Sequence, residues 1–218
     1  MQSLKQRELS LHAGEMLIAE GEKNTQLFTL LEGWAFRFKT LSDGRRQIIS
    51  FLLPGDLVGV QQEMTDEADH GVTTLTDAVF CVFQRNALWK LYEHSPELGF
   101  NVTWLTARGQ SIDDDALLSV GQQNAQERIA ALLFKLFRRA ADLQSDKDVA
   151  GVTFPITQQH MADALGMSLV HTNKTLRKLE RLGFHRIKDG RLQILNSKAL
   201  AQVADVFGDG RVRPRPLF

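Results

Sequence analysis

A chain of 218 residues with 43% hydrophobic side chains is long enough for one large domain or two small ones, and it can bury a core, which excludes a disordered polymer. No apolar run reaches the ~18–20 residues of a membrane span, and the N-terminal MQSLKQRELSLHAGEM carries no secretory hydrophobic region, so a cytoplasmic protein is expected. One cysteine, Cys81, excludes internal disulfides and multi-thiolate clusters, while the net charge of zero hides an acidic 1–143 (14 Lys+Arg against 19 Asp+Glu) joined to a basic 144–218 (12 against 7).

Residues 11–83 read as short strands. QLFTLLEGWAFRFKTLSDGRRQIISFLLPGDLVGV alternates or runs apolar in pieces of about 5–8 residues, broken at Glu32-Gly33, Asp43-Gly44 and Pro54-Gly55. Asp43-Gly44 predicts a hairpin with a tight primed turn, because glycine takes φ > 0 without steric cost. Turns at this spacing point to an antiparallel sandwich or barrel and not to a parallel sheet with crossover helices. Cys81, on an apolar strand pattern, reads as a small core residue.

Helix formers dominate 97–142. Val102, Leu105, Gly109, Ile112, Ala116 and Ser119 recur at alternating steps of three and four, an a/d seam with small residues at two positions. Such a seam suits either packing on the chain's own domain or pairing with a second copy. Arg108 and Asp113 fall at g and the following e, where a parallel two-chain coil pairs them between chains. After a polar break at Gln122-Gln123-Asn124 comes a second amphipathic stretch, Ala125–Leu143. Gln144–Gly151 is a polar joint. Asp113-Asp114-Asp115 reads as a solvated acidic cluster. No nucleophile elbow, metal-ligand spacing or phosphate-binding glycine loop is present, so no enzymatic activity, metal or cofactor is expected.

The basic third is compact. Thr157 caps a helix through QQHMADAL, and Gly166 closes it in the left-handed conformation. Ser168 caps a second helix running to about Leu182, before Gly183. FHRIKDGRLQILN then makes two short strands around Asp189-Gly190. Helix, glycine turn, helix and hairpin within about fifty residues form a winged helix-turn-helix. Met161, Ala162, Leu165, Leu176 and Leu179 supply its buried faces. Leu169, Val170, Asn173 and Lys174 are expected to reach base edges: Lys174 donates to guanine, Asn173 pairs with adenine, and Val170 or Leu169 packs on a thymine methyl. Thr157, Gln158, Gln159, Ser168, His171, Arg177, Arg186 and Lys188 are the phosphate candidates, with Arg191 on the wing as another. Lys178 and Arg181 read as solvated side chains. The final GDGRVRPRPLF is Gly/Pro/Arg-rich and reads as a loose tail.

GEMLIAEGE, LLEGWAFRF, DGRRQIISFLLPGDLVG and ITQQHMADALGMSLVHTNKTLRKLERLG together resemble the CRP/FNR family of bacterial transcription regulators, over nearly the whole chain. The resemblance implies an α+β protein. An N-terminal antiparallel β-roll (a jelly-roll of the cyclic-nucleotide-binding type) over 1–96 leads into a long dimerisation helix with its following helix over 97–143. A winged helix-turn-helix domain over 144–218 would bind double-stranded DNA. It also implies a homodimer on a palindromic site, with RNA polymerase as a partner if the protein activates. Two departures stand out. Where nucleotide-binding relatives follow a glycine with Glu and place Arg-Ser about ten residues on, Gly59 is followed by Val60, and the later positions fall near His70-Gly71. A cyclic phosphate would lose its donors there and the ribose its acceptor, so cyclic nucleotide control is not expected and Val60, His70 and Gly71 mark only a weak effector pocket. The cysteines that hold an iron–sulfur cluster in some members are absent. Val170 and Lys174 stand where well-known members carry Glu and Arg, which removes a cytosine-directed acceptor and favours thymine. The competing expectation is a sensory protein whose winged helix contacts another protein.

Overall fold

A computed structural model describes residues 5–23, 26–60, 67–84, 86–144 and 151–205. The described residues fall into two compact units, one ending at Asp114 and the other beginning at Asp115.

Among its described residues the first unit holds eight strands: β1 (Lys5–Leu11), β2 (Met16–Ile18), β3 (Gln26–Glu32), β4 (Ala35–Thr40), β5 (Arg46–Leu52), β6 (Leu57–Val58), β7 (Gly71–Thr74) and β8 (Ala78–Gln84). They form two four-stranded antiparallel sheets, ordered β1-β8-β3-β6 and β2-β7-β4-β5. Inward residues of both sheets share one core, built on Phe28, Leu30, Leu52, Val72, Phe80 and Val82. Phe28 and Phe80 meet edge to face at 6.5 Å, the arrangement their ring quadrupoles favour. This is the antiparallel sandwich expected from the strand spacing, in the roll form that the family resemblance implies.

The β4–β5 hairpin forms, but with a different turn. Leu41 pairs with Arg45 across three residues, and Gly44 donates to the Leu41 carbonyl at 2.9 Å. Of the two central candidates only Gly44 has positive φ, at 86°. The connection is therefore a three-residue turn with a glycine bulge, not a two-residue primed turn. Asp43 closes it by accepting from the Arg45 backbone (3.0 Å) and Arg45 Nε (2.8 Å). Those bonds also hold its carboxyl below the usual range.

After β8 come α1 (Ala87–His94) and α2 (Pro96–Gln122). Val102 of α2 packs with Leu27, Cys81, Phe83, Leu88 and Leu91, so Cys81 is a core residue. Val102 and Leu105 are 5% and 9% exposed. The seam read from the sequence is therefore, at these two positions, the helix face that covers the chain's own core; they cannot face a second copy. Ser119 is buried too, and Gly109, Ile112 and Ala116 are half-buried. Asp113, expected to be solvated or to meet Arg108 of another chain, takes both bonds of a bidentate pair with Arg37 of β4 at 2.6 and 2.8 Å. Arg108 lies over the Trp104 ring at 5.6 Å. Outward stand Phe100, Ala107, Ser111, Asp114 and Leu118, which with half-buried Trp104 repeat at steps of four and three.

The second unit contains α3 (Ala125–Ala141), β9 (Val152–Thr153), α4 (Gln158–Leu165), α5 (Leu169–Arg181), β10 (His185–Lys188), β11 (Arg191–Ile194) and α6 (Ser197–Val203). The polar break works as a cap: Asn124 accepts from Gln126 and Glu127 while Glu127 accepts from the Asn124 backbone, a complete capping box. The buried face of α3, including Ile129, Leu133 and Leu136, packs against α4, α5, α6 and the sheet β10-β11-β9. Thus α3, grouped with the long helix in the sequence reading, forms the floor of the helix-turn-helix. The Gly/Arg-rich tail and most of the polar joint lie outside the described residues.

Candidate nucleic-acid interface

Local chemistry sets the two helices. Thr157 Oγ1 accepts from the His160 backbone, and His160 Nδ1 accepts in return from the Thr157 backbone. Gly166 ends α4 at φ 62°, ψ 38°, a left-handed turn that a side chain would strain. Two residues on, Ser168 accepts from the His171 backbone at 3.2 Å and opens α5. Ala162, Met161 and Leu165 of α4 are buried, as are Thr172, Thr175, Leu176 and Leu179 of α5.

That packing fixes what faces outward. Val170 is 79% exposed and Leu169 41%. His171, Lys174 and Arg177 are exposed, and the first turn holds no acidic residue. Asn173 is half-buried, and its Oδ1 is shielded without a hydrogen-bond partner. In this rotamer it lacks the outward acceptor that a two-bond adenine contact needs. The sheet turns at Asp189-Gly190 with φ 50° and 69°, and Lys188 pairs with Arg191 across it, the two-residue primed hairpin read from the sequence. Arg186 and Lys188 are exposed on it. Arg191 is not free for phosphate: its Nη2 donates to the Gly151 carbonyl at 2.5 Å. Thr157, Gln158, Gln159 and Ser168 are exposed at the starts of the two helices, with Gln159 bonded to Asp163 at 2.7 Å.

A residue absent from the sequence reading holds the turn. Arg128, in the first turn of α3, donates through Nε to the Gln123 carbonyl (2.7 Å) and through Nη1 to the Leu165 carbonyl (2.9 Å). One guanidinium thereby meets the carbonyl just past α2 and the last carbonyl of α4, both at negative ends of helix dipoles.

The weak effector positions do not fit a cyclic phosphate. Val60 supplies no acceptor, and positions 69–71 hold Asp69, His70 and Gly71, with no fixed cation. His70 is 4% exposed and its Nε2 lacks a partner. Burial first, then the Arg37 charge, pushes its pKa down to about 4, so it is a neutral imidazole. A Cβ on Gly71 would meet the Phe38 ring at 2.5 Å. Arg37, the guanidinium that acts on His70, donates to Asp113 and through Nε to Ser50 Oγ at 2.8 Å.

A double-sheet roll, a long helix and a winged helix-turn-helix with a basic exposed second helix define a one-chain transcription regulator. Residues 8–95 match the cyclic nucleotide-binding domain family, and residues 127–203 match the Crp-like helix-turn-helix domain family. Over 202 residues the chain is 31% identical to the transcriptional activator protein FnrL of Cereibacter sphaeroides, spanning 92% of this chain and 80% of that one. Over 198 residues it is 29% identical to the nitrogen fixation regulation protein FixK of Bradyrhizobium diazoefficiens, spanning 91% and 82%. The solved structure of FixK2 from Bradyrhizobium japonicum superposes with a TM-score of 0.80 at 26% identity, covering 90% of this chain and 96% of that one. The chain belongs to the CRP/FNR family of transcription regulators. No helix of the described residues is long and apolar enough to cross a membrane.

Proposed function

We propose that the chain acts as a homodimer on a palindromic duplex, with α5 of each protomer in a major groove. Base edges are met by Leu169, Val170, Lys174 and Asn173, whose amide keeps Oδ1 shielded and can only donate. Phosphates are met by the α4 and α5 starts (Thr157, Gln158, Gln159, Ser168, His171), by Arg177, and by Arg186 and Lys188 on the wing. The observation that carries this reading is the outward face of α5: a capped helix after a left-handed glycine, with an exposed, carboxylate-free first turn. Dimerisation uses the outer stripe of α2, including Phe100 and Leu118. The work divides among a sensory roll within 1–96, a pairing helix within 97–143 and a DNA-binding head within 144–218, with α3 packed into the head. Control is exerted by something other than a cyclic nucleotide, no reaction is catalysed, and RNA polymerase is the further partner if transcription rises. The protein works in the cytoplasm, where its operator is.

Selection of bound duplexes from a random pool tests this directly. Enriched sequences should be inverted repeats with half-site centres about 10 base pairs apart. Failure to enrich any duplex at low salt, where phosphate attraction is strongest, would overturn the proposal.

A further inference from the structure

We infer that α5 reads a strand edge made of thymine and guanine, with thymine recognised chiefly through its 5-methyl group by Val170 and Leu169. This rests on the DNA-binding reading above and narrows it to a chemical class of operator.

Helix geometry puts Leu169, Asn173 and Arg177 in one outward row and Val170, Lys174 and Lys178 in the next, because residues four apart stack on one face. The first turn of this face is apolar: Val170 and its neighbour Leu169 are branched side chains left in water, 79% and 41% exposed. The second turn offers donors only. Lys174 presents an ammonium, and Asn173 has its acceptor Oδ1 shielded inward. Ser168 Oγ is taken up by the His171 backbone, and Thr172 is fully buried with its hydroxyl on the Ser168 carbonyl. The only carboxylate on α5, Glu180, lies in its last turn.

The major-groove edges then sort themselves. Cytosine shows an N4 donor and adenine an N6 donor, and each needs an acceptor that Leu169, Val170, Lys174 and the inward-turned Asn173 carbonyl do not present. Guanine shows two acceptors, which suit Lys174. Thymine shows one acceptor and a methyl, which suits an apolar turn flanked by donors. The occupant follows from charge as well, since Lys174 and Arg177 on α5 and Arg186 and Lys188 on the wing are exposed cations, and such a frame fits a polyanion. A protein partner would meet Val170 and Leu169 without needing that cationic frame.

Atom-scale changes in the DNA test this. In the selected operator, each thymine is replaced by deoxyuridine, which deletes only the methyl, and each guanine by 7-deazaguanine, which deletes only the N7 acceptor. Dissociation constants of the full-length protein are measured at one fixed salt concentration. At one or two positions per half-site, uracil should weaken binding about fourfold, the worth of one buried methyl, and on the order of fifteenfold when both half-sites are changed. Val170→Ala should abolish the difference between thymine and uracil at one position, and Leu169→Ala at the adjacent one. Val170→Glu should move the preference there toward cytosine. Binding that is specific yet indifferent to uracil everywhere overturns this inference and leaves the DNA-binding reading intact. A uracil penalty unchanged in both alanine variants overturns it as well. Absence of any selected duplex overturns both.

Discussion

In the proposed complex, base recognition depends most on Lys174, the ammonium on the outward face beside Val170. Lys174→Ala should cost about 1–3 kcal/mol on the selected operator and relax preference at a single base pair. A loss equal on all sequences would make it a phosphate contact instead, which parallel titrations on operator and scrambled duplex distinguish. His70 is buried and neutral, with a pKa of about 4 against an ordinary 6.5. The unfolded chain takes up that proton first as pH falls. Its contribution to stability is therefore complete above about pH 6.5 and is lost toward pH 4, with a slope of at most ~1.4 kcal/mol per pH unit. Burial lowers His185 in the same direction. Thermal midpoints recorded from pH 7 to 4.5 should fall less steeply in His70→Gln than in the parent chain, whereas superimposable slopes would refute the assignment.

Among the elements, the helix-turn-helix was the most legible from sequence because its signals are local. Thr157, Gly166, Ser168 and Asp189-Gly190 each act within a few residues, and the structure uses each as read. The Asp43-Gly44 turn was misread because turn type depends on which flanking residues pair, here Leu41 with Arg45. The face of α2 was legible and its neighbour was not: periodicity at Val102 and Leu105 announces a buried stripe without saying what covers it. Pairs distant in sequence left no trace at all. Arg37 meets Asp113 across 76 positions and Arg128 meets Leu165 across 37. For Arg128 the expected cost is correspondingly large. Arg128→Met keeps the aliphatic stem but strands two partly buried carbonyls, and should destabilise the second unit by about 1–3 kcal/mol in denaturant titrations. An unchanged midpoint would show that water replaces the guanidinium.

At the scale of the whole molecule, the proposed dimer rests on the outer stripe of α2. Phe100 and Leu118 are 67% and 57% exposed in a single chain, more than a solitary monomer has reason to show along one helix line. Leu118→Glu appears twice in a symmetric pair, so it should weaken association by about 3–6 kcal/mol, a hundredfold or more. Sedimentation should then report monomers with an unchanged thermal midpoint, and a variant still dimeric would move the interface elsewhere. Val102→Glu should instead unfold the roll, since Val102 belongs to its core.

The bond between Arg37 and Asp113 has a bearing on what the roll can admit. The sheet's inner guanidinium already has a tenant, an aspartate supplied by the chain itself and gripped by two short bonds, with Ser50 at its flank. A negatively charged visitor must evict that carboxylate or arrive with a cation of its own. The charge inside this sheet is thus already balanced by the chain itself, and the neutral His70 beside it adds none.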